Sequence, residues 1–459
     1  MLSRFILPVV VALVASVLPL AAAETAFPAV APPEAPAALG ANLQRSLRLM
    51  AGSTPTQRNH VRVLFYGQSI TEQAWWKTVA NHLRTTFPNA DLVIENRAIG
   101  GHSSQLLVKT AEADLYDFQP DLVIFHVYGS HTDYEAIIRR LRERTVADIL
   151  MATDHVTRDD ALVEETDPAK LTPKSWDAWM NHSFLPATAK KYDAELADMH
   201  DRWKGYLRSN NLKASQLLKD GVHLNAHGEF VMAEVLKWYL RPELLRKNAA
   251  ADDRVKELFV GRDVTIQGDR LLLEFDGNRV DAELTGTAGP IAIRIDGKKP
   301  AEHPELFRFT RTSAYPQSNW PGLLRVQHGT AAAVPETWTA TIRSMDDDLK
   351  QFEFDLVGSN TGADGSGSAT NRFASKSGRI VIEPDDWNLA YGRKVFKRAL
   401  PEAFTVVWKA EPRFVETLAA GTSPQRLFHG LPNGRHTLEL SGESVRRIKK
   451  LTVYRPPLR

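Results

Sequence analysis

From residue 61 onward, apolar runs and amphipathic stretches take turns along the chain. Val61, Val63, Leu64, Phe65 and Tyr66 form a short apolar run, the pattern of a parallel strand buried on both faces. Trp75, Val79 and Leu83 recur at helical spacing and predict a helix over residues 72–86, stopped near Pro88. Further strands are expected over 91–95, 121–127 and 148–152. Helices are expected around 105–116 and through Ile137, Ile138 and Leu141. After a polar loop over 153–174, Trp176, Trp179 and Leu185 predict another helix. A fifth strand over 194–199 and a helix through Trp203 and Leu207 follow. Val231, Val235 and Leu236 mark a last helix that ends before Pro242. Strands separated by helices imply right-handed crossovers, a parallel sheet and a three-layer α/β domain. Ligands of such sheets sit beyond the carboxyl ends of the strands. The loops that carry Ser69, Gly101 and His131 lie on that edge.

The texture changes near Asp252. Residues 264–266, 271–275, 291–295, 352–356, 380–382, 404–407 and 436–440 form short alternating segments between Gly, Pro and Asp turns. They predict an all-β, sandwich-like domain. Residues 358–377, rich in Gly, Ser and Asn, are expected to be an exposed loop, and 366–377 a conjectural lid. The expected divisions are 1–23, 24–55, 56–248 and 249–459. The first is a signal peptide, with Arg4, an apolar stretch over 5–20 and Ala21-Ala22-Ala23 before Glu24. An uncleaved anchor is the alternative. The second is a Pro/Ala-rich linker and lead-in segment, and the last two are the α/β and all-β domains.

The chain therefore reads as exported, periplasmic or secreted, with no membrane span after the signal. At 459 residues, 43% apolar and 24% charged, it has an ordinary globular composition with room for two or three cores. A net charge of +2 calls for neither nucleic acid nor an acidic membrane surface. The absence of cysteine excludes disulfides, thiolate metal sites and a cysteine nucleophile.

Two short motifs carry chemistry. Ser69 sits between a strand and a helix, just after Gly67, where a hydroxyl is exposed. Ser69-Ile70-Thr71-Glu72 is also a capping box, which needs no catalysis. Asp220-Gly221-Val222-His223 places a carboxylate and an imidazole in one turn before the last helix. A histidine steadied by a carboxylate can take the proton of a serine nucleophile. The bland reading is a turn with a surface histidine. An oxyanion needs donors, and the backbone amides of Ser69 and Gly101 are candidates. His223 and His227 stand four apart, but the zinc-peptidase pattern needs Glu where Leu224 stands. His227 is expected to pack or cap the last helix, and no metal is assigned. Trp75 is expected in the core. His102, Asp154 and His155 are expected as solvated loop residues or substrate contacts. Trp320, Trp338 and Trp387 are expected as sugar platforms or core.

Four blocks, in order, resemble those of the SGNH (GDSL-type) hydrolases: Gly67-Gln68-Ser69-Ile70-Thr71, the stretch 96–101, Gly129-Ser130-His131, and Asp220-Gly221-Val222-His223. The resemblance covers roughly residues 56–245 and implies a flavodoxin-like α/β/α fold. It implies an esterase with Ser69 as nucleophile, His223 as base and then acid, and Asp220 as its orienter. Gly101 would donate to the oxyanion, and His131 stands where the family has an oxyanion Asn. Gln68 replaces the commoner Asp, as in carbohydrate acetylesterases with a similar Gly-Gln-Ser, which tilts the substrate toward an O-acetylated oligo- or polysaccharide. Such chemistry uses no cofactor. A second function class is a glycan-binding protein whose catalysis is weakened at His131, with binding in the β half.

Overall fold

A computed structural model describes residues 27–247, 252–286, 289–418 and 424–459. The expected signal segment lies outside them. Five parallel strands form the first sheet: β1 (His60–Gly67), β2 (Asp91–Asn96), β3 (Leu122–His126), β4 (Asp148–Ala152) and β5 (Glu195–Ala197). Their order is β2-β1-β3-β4-β5, the flavodoxin-like doubly wound order. The order reverses between β1 and β3, where such sheets open a crevice. Gly67 pairs with His126 across those strands, so the loops leaving both start side by side.

Strand alternation divides the apolar residues between two cores. Leu64, Tyr66, Val123, Phe125, Ile149 and Met151 face one side. Val61, Val63, Phe65, Leu122, Ile124 and Leu150 face the other. The second side packs Trp75, Val79 and Leu83 of helix Trp75–Thr86 and Val231, Val235 and Leu236 of helix Ala226–Lys237. These are the periodic positions the sequence marks. The first side continues without a break into the β half, where it takes in Phe307, Trp338, Phe354 and Trp408.

The chain after residue 252 forms antiparallel sheets, as the short alternating segments predict. A six-stranded sheet draws on both ends of this half, pairing Arg270–Leu284 with Gln425–Ser441 and Ile448–Tyr454. The chain between carries a five-stranded and a three-stranded sheet. Half of the expected loop over 358–377 is instead strand. Gly362–Ser368 pairs with Glu353–Gly358 at the edge of the five-stranded sheet. One glycine there has a packing reason: a Cβ on Gly367 would lie 2.6 Å from Phe354 Cζ and 2.8 Å from Phe373 Cδ2. Among the described residues no helix is long and apolar enough to cross a membrane.

Buried ion pairs stitch the two halves together. Arg311 forks onto Asp114 with two 2.8 Å bonds. Asp117 takes Arg413 Nε at 2.8 Å, His429 Nε2 at 3.2 Å, and Arg308. Burial pushes the Asp117 carboxyl up, but the His429 hydrogen bond and the two guanidinium charges outweigh it. They hold it well below the usual carboxylate range. A folded value below the unfolded one, about 3.9, stabilises the fold above that pH. The contribution is lost as pH falls through the folded value. Replacing this carboxylate leaves Arg413 without its carboxylate partner, while Arg308 keeps Glu411, so Asp117→Asn should cost about 1–3 kcal/mol. Chemical unfolding at pH 7 checks this. The difference from the parent protein should shrink in acid.

Candidate active site

The turn that carries Ser69 is built by close packing. A Cβ on Gly67 would lie 2.1 Å from the His126 carbonyl oxygen, so the end of β1 admits no side chain there. The chain then enters a single helical turn, Ser69–Glu72, capped by the backbone of Gln68, whose carbonyl accepts from Thr71 and Glu72. Ser69 is thus the first helical residue and not the cap. Its hydroxyl is free of the capping role the sequence allows, and Glu72 accepts from Asn319 instead, at 2.7 Å.

Ser69 Oγ lies 2.9 Å from His223 Nε2. His223 Nδ1 lies 2.9 Å from Asp220 Oδ2. A carboxylate only accepts, so Nδ1 carries the proton and Nε2 is left as the acceptor for the serine hydroxyl. Asp220 Oδ1 also accepts from the backbone N–H of His223 at 2.7 Å and of Val222 at 2.8 Å. Those two bonds, with the imidazole, hold its pKa down to about 2. Although half-exposed, Asp220 stays a carboxylate wherever a neutral His223 is useful.

The histidine loop is held by residues that the sequence reading either missed or took for solvated. Gln73, in the break between the short turn and helix Trp75–Thr86, grips Leu224 twice. Its Nε2 donates to the Leu224 carbonyl at 2.7 Å and its Oε1 accepts from the Leu224 N–H at 3.0 Å. His155 Nε2 donates to the Val222 carbonyl at 2.8 Å, and its Nδ1 accepts from Tyr128 Oη at 3.1 Å. Burial lowers the His155 pKa to about 3, so the ring is neutral and this tautomer is fixed. His102, Asp154 and His155 are all buried, against the expectation of solvated loops. They were placed on the right edge of the sheet, but the β half and the loop over 153–174 cover that edge.

Gly101 has φ +75°, in the left-handed region that favours glycine. A Cβ on its neighbour Gly100 would lie 3.6 Å from Ser69 Cβ, so this turn runs beside the nucleophile. Among the described residues, the N–H groups of Ser69 and Gly101 donate to no other protein atom. His131 goes elsewhere. It is the first residue of helix His131–Arg144, and its ring packs among Trp179, Phe184 and Trp176, with centroids 5.2, 5.5 and 5.9 Å away. No hydrogen bond ties it to Ser69, His223 or Gly101. Three aromatic rings from residues 176–184 offer the imidazole an apolar seat that the local motif does not reveal.

His227 bonds Tyr206 Oη at 2.7 Å and stacks on Phe27. Asn225, not His227, caps the last helix. Among the described residues, the group with metal-ligand spacing is Glu164, His182 and His200. Lys204 Nζ lies 3.2 Å from Glu164 Oε1 and 3.4 Å from His182 Nε2, so an ammonium already supplies positive charge there. Trp75 and Trp338 are buried, and Trp387 partly so.

No protein-family model matches this chain, and no curated protein matches it. Solved structures resemble part of it. Axe2, an acetylxylan esterase from Geobacillus stearothermophilus, is 19% identical, over 41% of this chain and 97% of its own, with a TM-score of 0.33. LAE5, an alpha/beta hydrolase enzyme from the metagenome of Lake Arreo, is 17% identical, over 41% of this chain and 97% of its own, with a TM-score of 0.33. A GDSL-like lipase from Parabacteroides merdae is 16% identical, over 39% of this chain and 95% of its own, with a TM-score of 0.32.

The grip of Gln73 on Leu224 should matter to the rate. Gln73→Ala removes both bonds, and kcat toward an activated ester is expected to fall about tenfold, or roughly 1.4 kcal/mol. KM should change by less than about threefold. Steady-state kinetics checks this; an unchanged kcat would mean the loop is held without Gln73.

Proposed function

We propose that this protein is an exported serine esterase of SGNH type that removes acyl groups, O-acetyl foremost, from a carbohydrate. The observation that carries the reading is the hydrogen-bonded series Ser69 Oγ, His223 Nε2, His223 Nδ1 and Asp220. It lies at the switch point of a flavodoxin-like sheet.

In this reading His223 Nε2 takes the Ser69 proton as Oγ attacks the ester carbonyl. Asp220, ionised and fixed by two backbone amides, stabilises the imidazolium. The N–H groups of Ser69 and Gly101 face the developing oxyanion. As the acyl C–O bond to the sugar breaks, the imidazolium gives its proton to the departing sugar oxygen, which leaves as a hydroxyl, and an acyl-enzyme remains. Water then gives a proton to His223 and attacks the acyl carbon, which frees the acid and restores Ser69.

The carbohydrate assignment comes from Gly67-Gln68-Ser69, which resembles carbohydrate acetylesterases. Export comes from the pattern of residues 1–23. One observation favours the second reading, a glycan binder with slow chemistry. With His131 seated among aromatic rings, the oxyanion site lacks its side-chain donor, and one such donor is worth on the order of 10²-fold or more in rate.

The two readings separate on one experiment. Ser69→Ala should lower kcat for p-nitrophenyl acetate by at least about 10³-fold, the scale expected when a nucleophile is lost. Undiminished hydrolysis would contradict the esterase. A parent protein that turns over no ester but binds acetylated glycan would support the binder.

A further inference from the structure

The β half contributes a wall to the esterase crevice. Trp320, only 5% exposed, lies against Gly101 so closely that a Cβ there would come within 2.3 Å of its Cζ2. His102 packs edge-on against Trp320 at 4.8 Å, and Phe396 braces it at the same distance. Tyr391, in helix Leu389–Phe396, stacks on Trp320 with centroids 4.8 Å apart and planes 28° from parallel. Its hydroxyl donates to the Gly101 carbonyl at 3.2 Å. Yet Tyr391 is 36% exposed, one of few large apolar side chains to be so. It is therefore a ring backed by a buried indole, pinned at its tip and open to solvent, beside a glycine next to the nucleophile.

Polar groups flank Gly100 and Trp320. Asn319, which precedes Trp320, donates to Glu72 Oε1, and Glu72 Oε2 would lie 2.4 Å from a Cβ on Gly100. An exposed carboxylate and a carboxamide thus lie at Gly100, the neighbour of the glycine that Tyr391 and Trp320 contact. A pyranose presents a C–H face and a hydroxyl rim. The negative face of an aromatic ring attracts the former, and a carboxylate accepts from the latter. A plain alkyl ester would use the ring alone.

We propose that Tyr391, stacked on Trp320, forms with Glu72 and Asn319 at the adjoining Gly100 a sugar-binding subsite that receives the pyranose carrying the ester. The proposal rests on the esterase reading and extends it: the β half is part of the catalytic site and not a separate binding module.

The test compares the parent protein, Tyr391→Ala and Tyr391→Phe on partly acetylated xylo-oligosaccharides and on p-nitrophenyl acetate. With Tyr391→Ala, kcat/KM on the oligosaccharide should fall about tenfold more than on p-nitrophenyl acetate, mainly through KM. Tyr391→Phe keeps the ring and should stay within about threefold of the parent on the sugar ester. Equal losses on both substrates would show that the ring merely props Gly101, and no loss would remove it from the site; either result overturns the proposal. The esterase reading fails separately, if the parent hydrolyses neither substrate. The subsite is then judged by calorimetric titration of the same oligosaccharides into Ser69→Ala and into Ser69→Ala/Tyr391→Ala. Binding weaker by about tenfold in the double variant supports the subsite. Equal affinities, or no binding by Ser69→Ala, overturn it.

Discussion

The hydrogen bond between Ser69 and His223 joins groups 154 positions apart, and its 2.9 Å length depends on residues that hold the two loops rather than on either partner alone. One partner leaves β1 at a glycine that no other residue can replace. The other sits in an irregular loop before the last helix, where little regular structure fixes it. The loop is instead tied from two directions, by Gln73 from the nucleophile side and by His155 from the end of β4. Because Gln73 follows Ser69 by four residues, one segment carries both the Ser69 hydroxyl and the clamp on the His223 loop. A shift of that segment carries the serine and the histidine loop together.

The same economy of placement runs through the seam between the halves. The apolar face of β1, β3 and β4 that Leu64, Tyr66 and Phe125 provide is not closed by helices alone. It runs on into Trp338, Phe354 and Trp408 of the five-stranded sheet. Asp114 and Asp117 then neutralise arginines brought from that sheet, where an unpaired charge would be costly. A seam that is both apolar and ion-paired holds the β half in one register, and so holds Trp320 and Tyr391 against Gly101. A loosely tethered module could not keep an aromatic ring in hydrogen-bond contact with that glycine.

Much of this was legible in the sequence, for identifiable reasons. Buried parallel strands write themselves as apolar runs, and the helices between them as periodic stripes, so the order of the α/β half needed only local patterns. Ser69, Asp220 and His223 stood out because each sits in a short, ordered motif. Gln73 and His155 did not, since each acts on a backbone group of a distant loop and leaves no local trace. The capping box over Ser69 and Glu72 was a real pattern with other partners: imidazole for the hydroxyl, Asn319 for the carboxylate. Residues 358–377 read as an exposed loop because they are rich in Gly, Ser and Asn, whereas Gly367 makes room for two phenylalanine rings. His131 aligned with a family position but found three aromatic neighbours that no motif mentions.

Intact-protein mass spectrometry after treatment with a fluorophosphonate tests the central claim, that the imidazole activates this one hydroxyl. The expected result is a single adduct, mapped to Ser69, that forms in the parent protein and is lost or greatly slowed in His223→Ala. An unmodified Ser69, or labelling that proceeds equally well without the imidazole, would contradict it.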